Sequence, residues 1–198
     1  VHVVGASMGG MIGQVIAARH PARVLSLTSI MSNSGNQDRR IAFGSWKALR
    51  AIIHRPPPPD DHEAVVQHLM RVFSVIGSPA FRHELGQMRP LFERVARRGL
   101  YRNGTARQLL AILASGDRRP LLASITAPTL VLHGADDPLV PIAAGVDTTA
   151  NIPGARLEVI PGMGHDFPPG LMARIATRVA EHCRAVPSTQ PAPATQSA

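Results

Sequence analysis

The stretch Val1-His2-Val3-Val4-Gly5-Ala6-Ser7-Met8-Gly9-Gly10 decides the fold of this chain. Its first four residues are β-branched and apolar apart from His2, which is typical of a strand. The following apolar residues recur with a helical period and share one helix face: Met8, Ile12, Val15 and Ile16. The stretch therefore predicts a strand, a tight glycine-containing turn and a helix, and Gly9, Gly10 and Gly13 are expected to let that helix lie close to the sheet.

Strand patterns return three times further along the chain. They cover residues 24–30, 129–132 and 156–160, and helical patterns separate them. Because a helix between two strands returns the chain in the same direction, this order predicts parallel pairing. We therefore predict an α/β fold, with a parallel sheet of four strands flanked by helices, built from residues 1–35 and 125–185.

Residues 36–124 are predicted to form a helical cap, or lid, inserted over one end of the sheet. Asp60 stands three residues before Glu63 and predicts the start of one cap helix. Another helix is predicted to begin near Thr105, with Gln108 as its capping partner, and to bury apolar side chains at residues 109, 112 and 113. From residue 186 to residue 198 the composition is rich in Pro, Ser, Thr, Gln and Ala, which predicts a disordered tail.

Charge and composition restrict the function classes. The chain of 198 residues has a formal net charge of +8, because twenty arginines and the single Lys47 outnumber thirteen Asp and Glu residues. The arginines are scattered and aromatic residues are few, so we expect a solvated surface and no nucleic-acid partner. No apolar run reaches ~18 residues, and we predict no membrane span. Cys183 is the only cysteine, and no signal-peptide pattern is visible, which favours a reducing, cytoplasmic location.

The residues 5–9 match the pattern Gly-x-Ser-x-Gly, placed between a predicted strand and a predicted helix. A serine hydroxyl becomes a useful nucleophile only when it is exposed on a sharp turn beside a base. Asp137 and His165 each follow a predicted strand, and parallel strands bring their carboxyl ends to one edge of the sheet. These three side chains are therefore candidates for one site, although a small-residue turn or a phosphate-binding loop around Ser7 stays an alternative.

At these motifs the chain resembles the α/β-hydrolase family. Residues 3–10 are similar to its nucleophile elbow, residues 132–141 to its acid motif and residues 162–165 to its histidine motif. Residues 29–35 and 162–166 resemble the esterase/lipase-like branch that includes aclacinomycin methylesterase. The resemblance runs over nearly the whole chain to about residue 184.

The resemblance implies a role for each candidate residue. Ser7 would be the nucleophile, His165 the general base and then acid, and Asp137 the group that orients the imidazole, while the Met8 backbone N–H would bind the oxyanion. The implied reaction is hydrolysis of a small or medium hydrophobic carboxylic ester through an acyl-enzyme, with no cofactor and no metal. Activity should then rise with pH through ~6–7, where imidazole groups ordinarily lose their proton.

Several other residues near these motifs are alternative candidates for catalytic or metal-binding roles. Asp136 competes with Asp137 for the acid role, but the family's acid usually stands three residues after the motif glycine, here Gly134, which favours Asp137. Asp166 follows His165 directly, and adjacent residues in a turn rarely face each other. The histidines at positions 2 and 133 are expected to be structural. The group His54, Asp60, Asp61 and His62 is interpreted as helix caps and surface charge rather than a metal site.

The resemblance also implies that the chain starts just before the nucleophile. The family's earlier strands, and a loop that donates the second oxyanion N–H, have no counterpart here. We therefore expect residues 1–4 to form an exposed apolar edge and the chain alone to be poorly soluble or weakly active. The alternatives are a non-catalytic hydrolase fragment, or another serine chemistry of this fold such as perhydrolysis, C–C bond hydrolysis or lactone hydrolysis.

Overall fold

The computed structural model describes residues 1–42, 44–99, 101 and 103–187. Four strands form one parallel sheet: β1 (His2–Ala6), β2 (Ser26–Ile30), β3 (Thr129–Gly134) and β4 (Arg156–Ile160). They pair in the order β1-β2-β3-β4, with Ala6 opposite Ile30 and Leu132 opposite Glu158. The predicted parallel α/β fold is confirmed.

Helices occupy every connection between the strands. Helix α1 (Met8–Arg19) and a 3-10 turn (Pro21–Arg23) join β1 to β2, α8 (Ile142–Asn151) joins β3 to β4, and α9 (Pro169–Arg184) follows β4. Between β2 and β3 lie α2 (Arg39–Ala42), α3 (Trp46–Ile53), α4 (His62–Ile76), a 3-10 segment (Pro79–Met88), α5 (Arg89–Arg98), α6 (Gly104–Ser115) and α7 (Arg119–Leu122). We call residues 36–124 the helical insertion.

The two central strands of the sheet are buried by packing on both faces. Every residue of β2 and of β3 is buried, as expected for central parallel strands covered by helices on each side. One apolar cluster includes Ile30 and extends to α9 through Leu171, and another includes Leu27 and extends to α7 through Leu122. Because residues 27 and 30 differ by an odd number, their side chains lie on opposite faces of the strand.

Helix α1 buries a different face from the one that its apolar pattern predicts. The buried residues are Gly10, Met11, Gly13, Gln14 and Ala17. Ile12 is 50% exposed and Ile16 is 37% exposed. A Cβ at Gly13 would lie 3.0 Å from Leu27 Cδ1, so the helix axis is very close to the sheet. Close approach therefore requires small residues at the contact, and the larger apolar side chains lie outside it.

The helical insertion corrects two predictions. Helix α4 is capped by Asp61, whose Oδ1 accepts from the Ala64 N–H at 2.9 Å, and not by Asp60. Helix α6 begins at Gly104, near the predicted start, but its N-cap is Asn103 rather than Thr105, and Asn103 makes no side-chain cap hydrogen bond. No residue of α6 is buried, and Leu113 is 70% exposed. The apolar core of this region is instead shared by α4 and α5.

The bounds predicted for β4 are confirmed. The boundaries drawn between core and cap stay a prediction. Most of the predicted tail, residues 188–198, lies outside the described residues. Among the helices of the described residues, none is both long and apolar enough to cross a bilayer.

Candidate active site

Ser7 stands at a strained turn between β1 and α1. Its φ of 52° and ψ of −122° lie in a region that side-chain-bearing residues rarely adopt. The Ser7 N–H donates to the Ile30 carbonyl at 2.8 Å, which ties the turn to the end of β2. A Cβ at Gly5 would lie 2.1 Å from the Gly9 carbonyl oxygen, so this turn forms only with glycine at position 5. The strained turn projects the serine hydroxyl beyond the carboxyl edge of the sheet.

The second glycine of the Gly-x-Ser-x-Gly motif, Gly9, is not required sterically. A Cβ at Gly9 would meet no described atom within 4 Å. At Gly10, in contrast, a Cβ would lie 2.7 Å from the Ser32 Cβ. The steric demand of the elbow therefore falls on positions 5 and 10 rather than on position 9.

Residues 135–140, which we call the acid turn, follow β3 and fix the carboxylate of Asp137. Asp137 Oδ1 accepts from the Leu139 N–H at 2.9 Å and from the Val140 N–H at 2.8 Å. Asp137 Oδ2 lies 2.7 Å from His165 Nδ1. The side chain of Asp137 is buried. Its carboxylate is held by the backbone of its own turn and by the imidazole of His165.

The carboxylate of Asp136 accepts a hydrogen bond from the histidine-bearing loop instead of from the imidazole. Its Oδ2 accepts from the Gly162 N–H at 2.9 Å, and its own N–H donates to the Met163 carbonyl at 3.1 Å. Asp136 therefore joins the acid turn to the loop that carries His165. The structure brings the carboxylate of Asp137 to the imidazole, and not that of Asp136.

Residues 161–166, which we call the histidine loop, follow β4. The His165 N–H donates to the Ile76 carbonyl at 2.8 Å, and His165 Nε2 lies 3.0 Å from Ser7 Oγ. The imidazole is 9% exposed. The three residues chosen from the sequence thus form one continuous series of hydrogen bonds, Ser7 to His165 to Asp137.

The chemistry of this series follows from which atoms can donate. An ionised carboxylate only accepts, so the proton on the imidazole belongs on Nδ1, and Nε2 is left to accept from the Ser7 hydroxyl. Met8 is the first residue of α1, and the first N–H groups of a helix have no intrahelical acceptor. A hydroxyl beside a base and an unsatisfied N–H at a helix start together suit attack on a carbonyl carbon.

Sequence reasoning missed one hydrogen-bonded pair beside this site, formed by Ser78 and Asp166. Asp166 is buried, and its Oδ1 accepts from the Ser78 N–H at 2.9 Å and from the Ser78 hydroxyl. The Ser78 Oγ in turn accepts from the Gly164 N–H at 2.9 Å. Burial raises the pKa of the Asp166 carboxyl, and the hydrogen bonds from Ser78 oppose that rise. No short-range signal could have predicted this pair, since its members are 88 residues apart.

The other histidines singled out have structural surroundings. His133 is fully buried, its Nε2 lies 2.9 Å from the Val140 carbonyl oxygen, and burial lowers its pKa. His2 Nδ1 lies 2.8 Å from Ser26 Oγ. The ring of His54 stacks on that of His68 with centroids 6.1 Å apart. Among the described side chains, no three of the His, Cys, Asp or Glu type form a group that could hold a metal ion.

A parallel sheet, a strained serine elbow and an imidazole between that serine and a carboxylate define the class of α/β-fold hydrolases. The family model described as alpha/beta hydrolase fold matches residues 1–168. The chain therefore belongs to the alpha/beta hydrolase fold family, as its motifs predicted.

Similar proteins include hydrolases with different named substrates. A 2-hydroxy-6-oxononadienedioate/2-hydroxy-6-oxononatrienedioate hydrolase from Dechloromonas aromatica is 30% identical over 167 residues, which is 83% of this chain and 55% of the relative. Rhodomycin D methylesterase from Streptomyces peucetius is 27% identical over 210 residues, covering 93% of this chain and 67% of the relative. The chain thus spans little more than half of the first relative's length.

A solved structure shows the same fold. The meta-cleavage product hydrolase from Pseudomonas fluorescens superposes with a TM-score of 0.71 at 18% sequence identity, and the match covers 93% of this chain and 65% of that one. At this level of sequence identity, the similarity supports the fold only.

Proposed function

We propose that this protein is a serine hydrolase that cleaves a carboxylic ester through Ser7, His165 and Asp137. The observation that carries the proposal is the hydrogen-bonded series, with 3.0 Å from Ser7 Oγ to His165 Nε2 and 2.7 Å from His165 Nδ1 to Asp137 Oδ2. The elbow strain at Ser7 supports the same role, because strain of this kind concentrates at functional sites.

The geometry supports a two-step reaction. Ser7 Oγ attacks the ester carbonyl carbon while His165 Nε2 takes the hydroxyl proton, and the Met8 N–H stabilises the oxyanion. His165 then protonates the departing alcohol, which leaves an acyl group on Ser7. A water molecule gives a proton to His165 and attacks the acyl carbon, so that the acid is released and Ser7 regains its proton. Asp137 holds the imidazole in the required tautomer throughout.

The relatives support a methyl ester as the substrate, since one of them is named a methylesterase. A second candidate substrate is a 2-hydroxy-6-oxo acid, favoured by the relative at 30% identity whose name contains that group. The same nucleophile and base would serve both reactions. The sparse cysteine content, with Cys183 unpaired, supports action in the cytoplasm.

The test is hydrolysis of short-chain p-nitrophenyl esters by the parent protein and by the variant Ser7→Ala. We expect Ser7→Ala to lower kcat by roughly 10⁴- to 10⁶-fold. Ser124→Ala is the matched control, because the Ser124 hydroxyl donates to the Leu121 carbonyl on the surface and its loss should leave kcat unchanged. Equal rates for the parent and Ser7→Ala would end the serine-hydrolase proposal.

The two candidate substrates are separated by competition. The ratio of kcat/KM for a methyl ester to that for a 2-hydroxy-6-oxo dienoic acid measures the preference directly. We expect a ratio above one. A ratio well below one, with the reaction still abolished in Ser7→Ala, would keep the nucleophile and replace the ester by the keto acid.

A further inference from the structure

The end of α4 is joined to the histidine loop by a compact set of hydrogen bonds. The His165 N–H donates to the Ile76 carbonyl, and the Gly164 N–H donates to Ser78 Oγ. In the opposite direction, the Ser78 N–H and hydroxyl both donate to Asp166 Oδ1. Three consecutive residues of the histidine loop are therefore held by the segment Ile76-Gly77-Ser78 of the helical insertion.

The two backbones touch at this contact. A Cβ at Gly164 would lie 2.6 Å from the Gly77 carbonyl group, and a Cβ at Gly77 would lie 2.8 Å from Asp166 Oδ2. Protein interiors packed this closely transmit a displacement rather than absorb it. A shift of the α4 end therefore moves the histidine loop.

Burying Ser78 and Asp166 costs hydration free energy, so we expect a role that accounts for the pair. Ser78 is 2% exposed and Asp166 is 6% exposed. A buried carboxyl requires hydrogen bonds to offset its lost hydration, and an apolar residue of similar size would often be as stable. The ionisable groups that act on Asp166 are His165 and Asp137, both members of the candidate site. The contact thus lies next to the residue whose imidazole faces Ser7, because Asp166 directly follows His165.

We propose that Ser78 and Asp166 are positioning residues that fix the histidine loop, so that the seating of α4 sets the distance from His165 Nε2 to Ser7 Oγ. The inference rests on the proposed function. Neither side chain contacts the nucleophile, and both act through the backbone of residues 164–166. Substrate contacts made by the helical insertion would in this way reach the base.

A graded series at position 78 provides the test. Ser78→Ala removes the hydroxyl that joins Gly164 to Asp166, and a misplacement of the base by ~1 Å lowers the rate by about 100-fold. We expect kcat to fall by about 10- to 100-fold with KM changed less than about threefold. Ser78→Thr keeps the hydroxyl and should restore most of kcat. Ser78→Cys is nearly isosteric but bonds weakly, and it should give an intermediate kcat even if Ser78→Ala does not fold.

The matched control is Ser34→Ala. Ser34 is also fully buried, and its hydroxyl also donates to a carboxylate, that of Asp147 in α8. This pair joins the segment after β2 to α8 and does not contact the histidine loop. Ser34→Ala should lower Tm to an extent similar to that of Ser78→Ala and leave kcat within about twofold of the parent.

A spectroscopic measurement tests the loop without relying on turnover. The His165 Nδ1–H that faces Asp137 should give a strongly downfield proton resonance. We expect it to broaden or exchange faster in Ser78→Ala and in Asp166→Ala, and to persist in Ser34→Ala. If Ser78→Ala keeps both the parental kcat and this resonance, or if Ser34→Ala loses them equally, the positioning role is wrong. Failure of the proposed function shows differently, as equal turnover of the parent and Ser7→Ala.

Discussion

The loops at the carboxyl edge of the sheet and the helical insertion are built on different principles. The elbow and the acid turn are fixed mainly within a few residues, since Asp137 accepts from the N–H groups of its own turn and Gly5 permits the elbow. The histidine loop is the exception, because the insertion holds it through Ile76 and Ser78. The insertion is fixed by contacts between distant segments, such as the cluster shared by α4 and α5. Local constraints appear in the sequence as short motifs, whereas packing between distant helices does not.

The two regions meet at the candidate site. The Ser45 N–H of the insertion donates to the Pro138 carbonyl of the acid turn at 2.7 Å. A Cβ at Gly44 would lie 2.2 Å from the same carbonyl oxygen. Together with the contact at Ser78, the insertion therefore rests on the loop that carries the carboxylate and on the loop that carries the imidazole.

The largest expected effect separates the two neighbouring carboxylates of the acid turn. Asp137→Asn should lower kcat by about 10⁴-fold, because an amide in that position favours the wrong imidazole tautomer. Asp136→Asn retains an oxygen that can accept from the Gly162 N–H, and it should lower kcat less than about tenfold. Steady-state ester hydrolysis measures both. The reverse order would move the orienting role to Asp136.

The next effect tests the local constraint at the elbow. Gly5→Ala places a Cβ against backbone atoms that cannot move aside, and we expect it to lower the free energy of unfolding by about 3 kcal/mol. Gly9→Ala meets open space and should change that free energy by less than about 1 kcal/mol. Urea unfolding followed by circular dichroism provides the comparison. Similar losses for both variants would contradict the structure of the turn.

A third pair of variants tests the insertion itself. Val65 in α4 is fully buried, so Val65→Ala should lower the free energy of unfolding by about 1–3 kcal/mol. Leu113→Ala on the exposed face of α6 should change it by no more than about 0.5 kcal/mol. Denaturant titration measures the two. A large loss at Leu113 would mean that α6 is buried in solution.

The smallest expected effect is a dependence of stability on pH. Burial lowers the pKa of His133 and of His182 in the folded state, so the unfolded chain binds more protons below ~6.5. Stability should therefore be full above that value and fall as the pH drops through the lowered folded pKa, by at most ~1.4 kcal/mol per pH unit for each group. Urea midpoints at several pH values between ~5 and ~8 measure the slope. In His133→Asn the slope should be shallower, and an unchanged slope would remove His133 from the account.

The sequence predicted the parts of the molecule that short patterns define. The four parallel strands, the elbow at Ser7 and the turns that carry Asp137 and His165 were found because each motif constrains its own backbone. The roles of these residues stay predictions. The apolar period of α1 did not identify its buried face. The glycines did predict the close approach of this helix to the sheet, and Gly10 and Gly13 lie at the contact. The contact between Ser78 and Asp166 had no signal, because it joins segments that only folding brings together.

The position of the helical insertion between two paired strands has a consequence for diversity within this fold. Strands β2 and β3 are hydrogen-bonded neighbours, yet residues 31–128 lie between them along the chain. The entropy lost on closing such a long loop grows only logarithmically, by about 0.6 kcal/mol for each doubling of its length. Residues can be gained or lost there with little thermodynamic penalty, provided that the short anchors at the two loops remain. The same sheet can thus accommodate very different walls around an unchanged turn at Ser7.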